Sequence, residues 1–88
     1  MSYFVAWIAS AHDRLETIWM AAADKSAVMR AANTIDAMLG EDPYRTDAVM
    51  LGDENTLIVE PLAVDYRIAE DERRVYIVGV WMIGSLDD

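Results

Sequence analysis

Between Leu62 and Ile83 the chain reads LAVDYRIAEDERRVYIVGVWMI. Leu62, Val64, Tyr66 and Ile68 recur every second residue, with Asp65 and Arg67 between them. That alternation predicts a strand with one apolar face and one polar face over Ala63 to Ala69. A charged connection, EDERR, follows, and a second apolar strand runs over Arg74 to Ile83. The two make a hairpin with an exposed turn.

Upstream, Tyr3 to Ile8 is aromatic and β-branched, which predicts a first strand buried on both faces. Ser10 is placed to cap a helix, with Asp13 three residues on in a loose capping-box arrangement. Leu15, Ile18, Trp19 and Ala22 give that helix its stripe over about Ala11 to Ala22. Asp24 can cap a second helix, whose stripe is Val28, Ala31, Ala32, Ile35, Met38 and Leu39. Gly40 reads as its stop, with Pro43 three residues beyond. The short connection predicts an antiparallel helical hairpin.

GEDPYRTD is then a loop, Ala48 to Leu51 a short strand, GDEN a turn and Thr56 to Glu60 a strand ended by a bend at Pro61. The order is β-α-α-β-β-β-β. The fold class is α+β, with the helical hairpin on one face of a four- or five-stranded, mostly antiparallel meander. At 88 residues the chain reads as one domain, residues 1–88.

Charge changes the picture. Sixteen acids against seven bases leave a net charge of -9, which excludes nucleic-acid binding by bulk attraction. Any such binding needs a local basic patch. Cysteine is absent, so there is no disulfide framework, which fits a reducing cytoplasm. No apolar run reaches the ~18 residues of a membrane span. Tyr3 to Ala11 lacks a preceding Lys or Arg and reads as a strand rather than a signal-peptide core. A single histidine, His12, without a ligand cluster gives no case for a metal, and no cofactor is expected.

Three stretches resemble the RelE/ParE family of bacterial toxins. SAHDRLETIW (Ser10 to Trp19) is similar to the family's first helix. ANTIDAMLGEDP (Ala32 to Pro43) is similar to the end of its second helix and the loop beyond. PLAVDYRIAEDERRVYIVGVW (Pro61 to Trp81) is similar to its closing hairpin, with a Tyr-Arg pair before an acidic turn. The resemblance implies a RelE/ParE-like fold and the toxin of a type II, plasmid stabilisation-like toxin–antitoxin system. It implies a cytoplasmic protein bound by a cognate antitoxin, acting on the ribosome and its mRNA or on DNA gyrase. Exposed sheet edges suit an antitoxin strand or a homodimer.

The resemblance also gives Arg67 a role, since it matches the arginine of the Tyr-Arg pair that lies near the scissile phosphate in RelE-like nucleases. A guanidinium there suits the developing phosphorane charge. Arg45 and Arg74 are the candidates to assist it. The plainer reading of Arg67 is the solvent side of its strand, beside Asp65 and near Asp71 and Glu72. Departures from the family pattern are clear. Ala48 to Glu60 holds no Lys, Arg or His, and the final strand ends in Trp81, Met82 and Ile83. A general base is not visible. The alternative is therefore a catalytically degenerate, protein-binding member. A basic open sheet face would favour RNA, and an acidic or apolar face would favour protein.

Overall fold

The computed structural model describes residues 2–44, 49–51 and 54–83. Their order is β1 (Phe4–Trp7), α1 (Ala9–Ala21), α2 (Lys25–Glu41), β2 (Val49–Leu51), β3 (Glu54–Val59), β4 (Leu62–Ala69), a 3₁₀ turn (Glu70–Glu72) and β5 (Arg74–Met82). The five strands form one sheet in the order β1-β5-β4-β3-β2. The pairs β2–β3, β3–β4 and β4–β5 are antiparallel, whereas β1 lies parallel to β5. The helical crossover after β1 permits that parallel return. The expected α+β architecture is present, a helical hairpin on a mostly antiparallel meander.

Both helices bury their stripes on one face of the sheet. Val28, Ala31, Ala32, Ile35 and Leu39 of α2 meet Leu57, Leu62, Val64, Tyr66, Val75, Ile77 and Val80 in one continuous core. Asp24 caps α2 as expected, its carboxylate accepting a 3.0 Å bond from the Ala27 N–H. Asp24→Ala should therefore cost about 1 kcal/mol, read as a lower urea midpoint at unchanged m.

Three local expectations are corrected. Ser10 lies inside α1 and does not cap it. The cap residue is Ile8, without a side-chain cap bond. The Ile8 N–H bonds the Ile77 carbonyl at 3.1 Å while its own carbonyl accepts from His12 at 2.9 Å. Strand thus passes straight into helix, leaving no polar residue to intervene. Gly40 does not stop α2, which continues through Glu41. What Gly40 permits is close approach of β1, because a Cβ there would stand 3.4 Å from the Tyr3 carbonyl. The Gly40 carbonyl accepts the Tyr3 N–H at 2.7 Å. Finally, β1 is an edge strand and is not buried on both faces, for Phe4 is 63% exposed.

Candidate functional site

Alternation along β1, β4, β5 and residues 55–59 of β3 assigns their side chains to the helix side or to the open face. Val5 and Trp7 pack toward the core, so Phe4 and Ala6 face the other way. The same parity puts Thr56 and Ile58 of β3 on the open face, with Ala63, Asp65, Arg67 and Ala69 of β4 and Arg74, Tyr76, Gly79 and Trp81 of β5. One register shift near Asp65 and Tyr66 gives β5 an extra residue, and parity recovers beyond it.

Register arranges these side chains in cross-strand rows. Ile58, Ala63 and Trp81 form an apolar row. Ala63 is fully buried although it lies outside the helix-side core. Thr56, Asp65 and Gly79 come next, and Thr56 donates a 2.7 Å bond to the Asp65 carboxylate. Arg67, Tyr76 and Ala6 form the third row, and Ala69, Arg74 and Phe4 the fourth. The open face is therefore apolar at one end and arginine-bearing at the other.

Arg67 is exposed on this face, as the strand pattern predicts. Arg74 stands diagonally across from it, with Cβ atoms roughly 7–8 Å apart by sheet geometry. Arg74 is part of β5 rather than of the turn, and its guanidinium carbon lies 5.2 Å from the centre of the Phe4 ring. Arg45 lies outside the described residues. Tyr76, directly opposite Arg67, donates a 2.7 Å bond to Glu72. That bond, reinforced by desolvation, raises the phenol above its ordinary range, while Arg74 opposes the shift. Tyr76 is thus held protonated and is a poor base. His12 is exposed on α1, an element packed on the opposite side of the sheet. Among the described residues no group of His, Cys, Asp and Glu could hold a metal ion. The arginine end can grip an anion and stabilise negative charge, and it offers no described group matched to proton abstraction at neutral pH.

A second cluster borders the first, and residue order alone did not reveal it. Tyr3 and Tyr44 each donate a 2.7 Å bond to one oxygen of Glu70, and Arg73 lies 3.2 Å from the other. Arg73 also donates to the Tyr3 hydroxyl at 3.1 Å, stacks 5.0 Å from that ring and adopts a left-handed backbone, φ 54°. The Tyr3 and Tyr44 bonds hold Glu70 below the usual carboxylate range. In return Glu70 pushes the Tyr44 phenol up to about 12. A native state that raises a phenol's pKa keeps that contribution below the unfolded value near 10 and loses it as pH climbs toward 12. Glu70 contributes in the opposite sense, above its unfolded pKa, and is lost on acidification. Ultraviolet titration should show Tyr44 ionising well above free tyrosine, and Glu70→Gln should bring its midpoint down. An unchanged midpoint would refute the bond.

The remaining aromatic expectations divide. Tyr66 is a core residue, its hydroxyl donating to the Pro43 carbonyl at 2.7 Å. Trp7 is half-buried and donates to Asp36 at 2.7 Å. Trp19 is 37% exposed rather than core, and the Lys25 ammonium lies 5.4 Å from its ring. Trp81 is half-buried and lines a cleft of about 420 Å³ with Arg14, Thr17, Ile18 and Met82, among others.

No family model matches the chain. No curated protein matches it either. Solved structures do. The toxin–antitoxin complex RelBE2 of Mycobacterium tuberculosis matches with a TM-score of 0.80 at 16% identity, over 97% of this chain and 95% of that one. The isolated RelE toxin of E. coli matches at 0.70 and 11% identity, over 98% and 89%. The archaeal RelE–RelB complex of Pyrococcus horikoshii matches at 0.69 and 17%, over 96% and 98%. At these identities the likeness is one of fold, and the chain has the fold of the RelE toxins over nearly its whole length.

Proposed function

We propose that this protein is the toxin of a type II toxin–antitoxin pair, neutralised by a cognate antitoxin and acting in the cytoplasm. The observation that carries the reading is the near full-length match to RelE toxins, two of them solved with antitoxin partners. Arg67 and Arg74 on the open face support translation as the target over gyrase, because paired guanidiniums suit an RNA phosphate. In that role Arg67 would stabilise the charge developing at the phosphate, with Arg74 and Arg45 assisting. No helix among the described residues is long and apolar enough to cross a membrane.

The test is induced expression in a bacterial culture. Growth arrest with transcripts cut at defined positions supports the translational reading. Arrest with intact transcripts and relaxed DNA points to gyrase. Normal growth with folded protein overturns the toxin reading for that host. A second reading, a protein-binding module, is favoured by the apolar row of Ile58, Ala63 and Trp81, since Ile58 is 54% exposed. The free edges of β1 and β2 could then serve a partner strand or a second copy.

A further inference from the structure

The open face departs from the charge of the chain that carries it. Sixteen acids and seven bases give the protein a net charge of -9. Among the described strand side chains of this face, Arg67 and Arg74 are the bases and Asp65 is the one acid. Glu72 adds a second carboxylate at the turn end, where it accepts the Tyr76 bond and keeps its charge. The face is thus locally neutral, and the rest of it is largely apolar or aromatic. Ile58 and Phe4 are both more than half exposed on it. A face that met only water would share the acidic excess, whereas charge depletion with exposed large apolar groups marks a contact surface.

The order of the rows says which surface fits. Asp65 and Arg67 flank Tyr66 on β4, and Ala63 and Ala69 lie further out at equal distance from it. On β5 the outer rows hold Trp81 opposite Ala63 and Arg74 opposite Ala69. A two-fold axis between two such faces, crossing the strands at Tyr66, sets each row against its equidistant counterpart. Asp65 then meets the partner's Arg67, and the reciprocal pair forms beside it. Trp81 meets the partner's Arg74, a ring against a guanidinium, again twice. Tyr76 comes over the partner's Gly79, which has no side chain to obstruct the phenol. Ala63 and Ala69 meet as small side chains, which suits sheets packed about 10 Å apart. A foreign partner imposes no relation between rows on opposite sides of a centre, but a second copy does. We propose that the open face is the interface of an isologous homodimer, in which Asp65 and Arg67 exchange ion pairs across the two-fold axis. The face spans five strands. With strands about 4.8 Å apart and ~3.3 Å per residue, it covers about 24 by 20 Å. Two such faces bury on the order of 1,000 Å², the weak end of specific interfaces. Repulsion between the two acidic chains is screened beyond about 8 Å at physiological salt. The contact leaves the free edges of β1 and β2 unused and covers Arg67 and Arg74 in both copies. Resting on the toxin reading, the dimer is then a closed form that dissociates before those arginines reach a phosphate. The interface itself does not depend on that reading.

Sedimentation equilibrium of the purified chain at about 0.15 M salt should show a closed dimer with a micromolar dissociation constant and nothing larger. Arg67→Asp sets carboxylate against carboxylate across the axis, and Asp65→Arg sets guanidinium against guanidinium. Each variant alone should dimerise at least about tenfold more weakly. Mixed one to one, the two should form a heterodimer, because every Asp of one then faces an Arg of the other. Both changes in a single chain should restore the homodimer with its charges exchanged. Urea midpoints establish that each variant is folded. If Asp65→Arg loses its fold along with the Thr56 bond, Arg74→Glu takes its place and should weaken the dimer at least about tenfold, since it removes the cation from Trp81. A native chain still monomeric at about 300 μM would overturn the proposal. So would a dimer indifferent to Arg67→Asp, which places the contact at the sheet edges, or folded charge variants that fail to pair when mixed. Growth arrest enters none of these readouts. A chain that dimerises this way without toxicity keeps the interface and loses only the toxin reading.

Discussion

Ile35→Ala is expected to bring the chain close to unfolding. Ile35 is wholly buried at the centre of the α2 stripe, between Ala31, Ala32 and Leu39 on one side and the sheet on the other. Truncating it removes apolar contact and leaves a cavity that neighbours held by sheet hydrogen bonds can fill only partly. Substitutions of this kind cost about 2–5 kcal/mol. A domain of this length has a total stability of roughly 4–13 kcal/mol. A loss near 3 kcal/mol should lower Tm by about 12–24 °C. Thr34→Ala, one position away and exposed, should stay within about 0.5 kcal/mol of the native chain. Calorimetry of the two variants checks both values. Similar midpoints would mean that α2 does not bury this face.

The same stripe explains why so much of the fold was legible. Val28, Ala31, Ala32, Ile35 and Leu39 recur at helical spacing because one side of α2 meets a sheet. Leu62, Val64, Tyr66 and Ile68 alternate because one side of β4 meets the helices. Both are local periodicities imposed by a single interface, so the chain order carries them. Asp24 was legible because a cap acts on the next turn of its own helix.

What escaped was non-local. Tyr3 to Ile8 looks equally apolar whether it lies in the middle of a sheet or on its edge. Only the parallel pairing with β5 decides that Phe4 is exposed. Gly40 resembled a helix stop because glycine usually tolerates a left-handed turn there, whereas here it makes room for a chain entering from 37 residues away, at Tyr3. Ser10 resembled a cap because the strand's last hydrogen bond, to Ile77, cannot be seen from neighbouring residues. The candidate site follows the same division. The polar side of Arg67 was readable from alternation. The partnership of Arg74 with Phe4, 70 residues distant, depends on register, as does the clamp of Tyr3 and Tyr44 on Glu70.

Arg67→Ala should separate these two kinds of contribution most sharply. The side chain is exposed on a face that no helix covers, so the variant should fold with stability within about 0.5 kcal/mol of the native chain. Its function should change far more. If Arg67 stabilises charge at a reacting phosphate, its removal should slow transcript cleavage by about 10²–10³-fold and relieve growth arrest. Arg67→Lys keeps the charge and loses the planar two-pronged grip, so it should recover only part of the rate. The comparison uses induced cultures and mapped transcript ends, with urea midpoints as the control for folding. A stable Arg67→Ala chain that still arrests growth would remove Arg67 from the site and turn attention to gyrase. A stable variant that has lost arrest, with lysine intermediate, would show that β4 places its arginine on the open face for chemistry as well as for solvation.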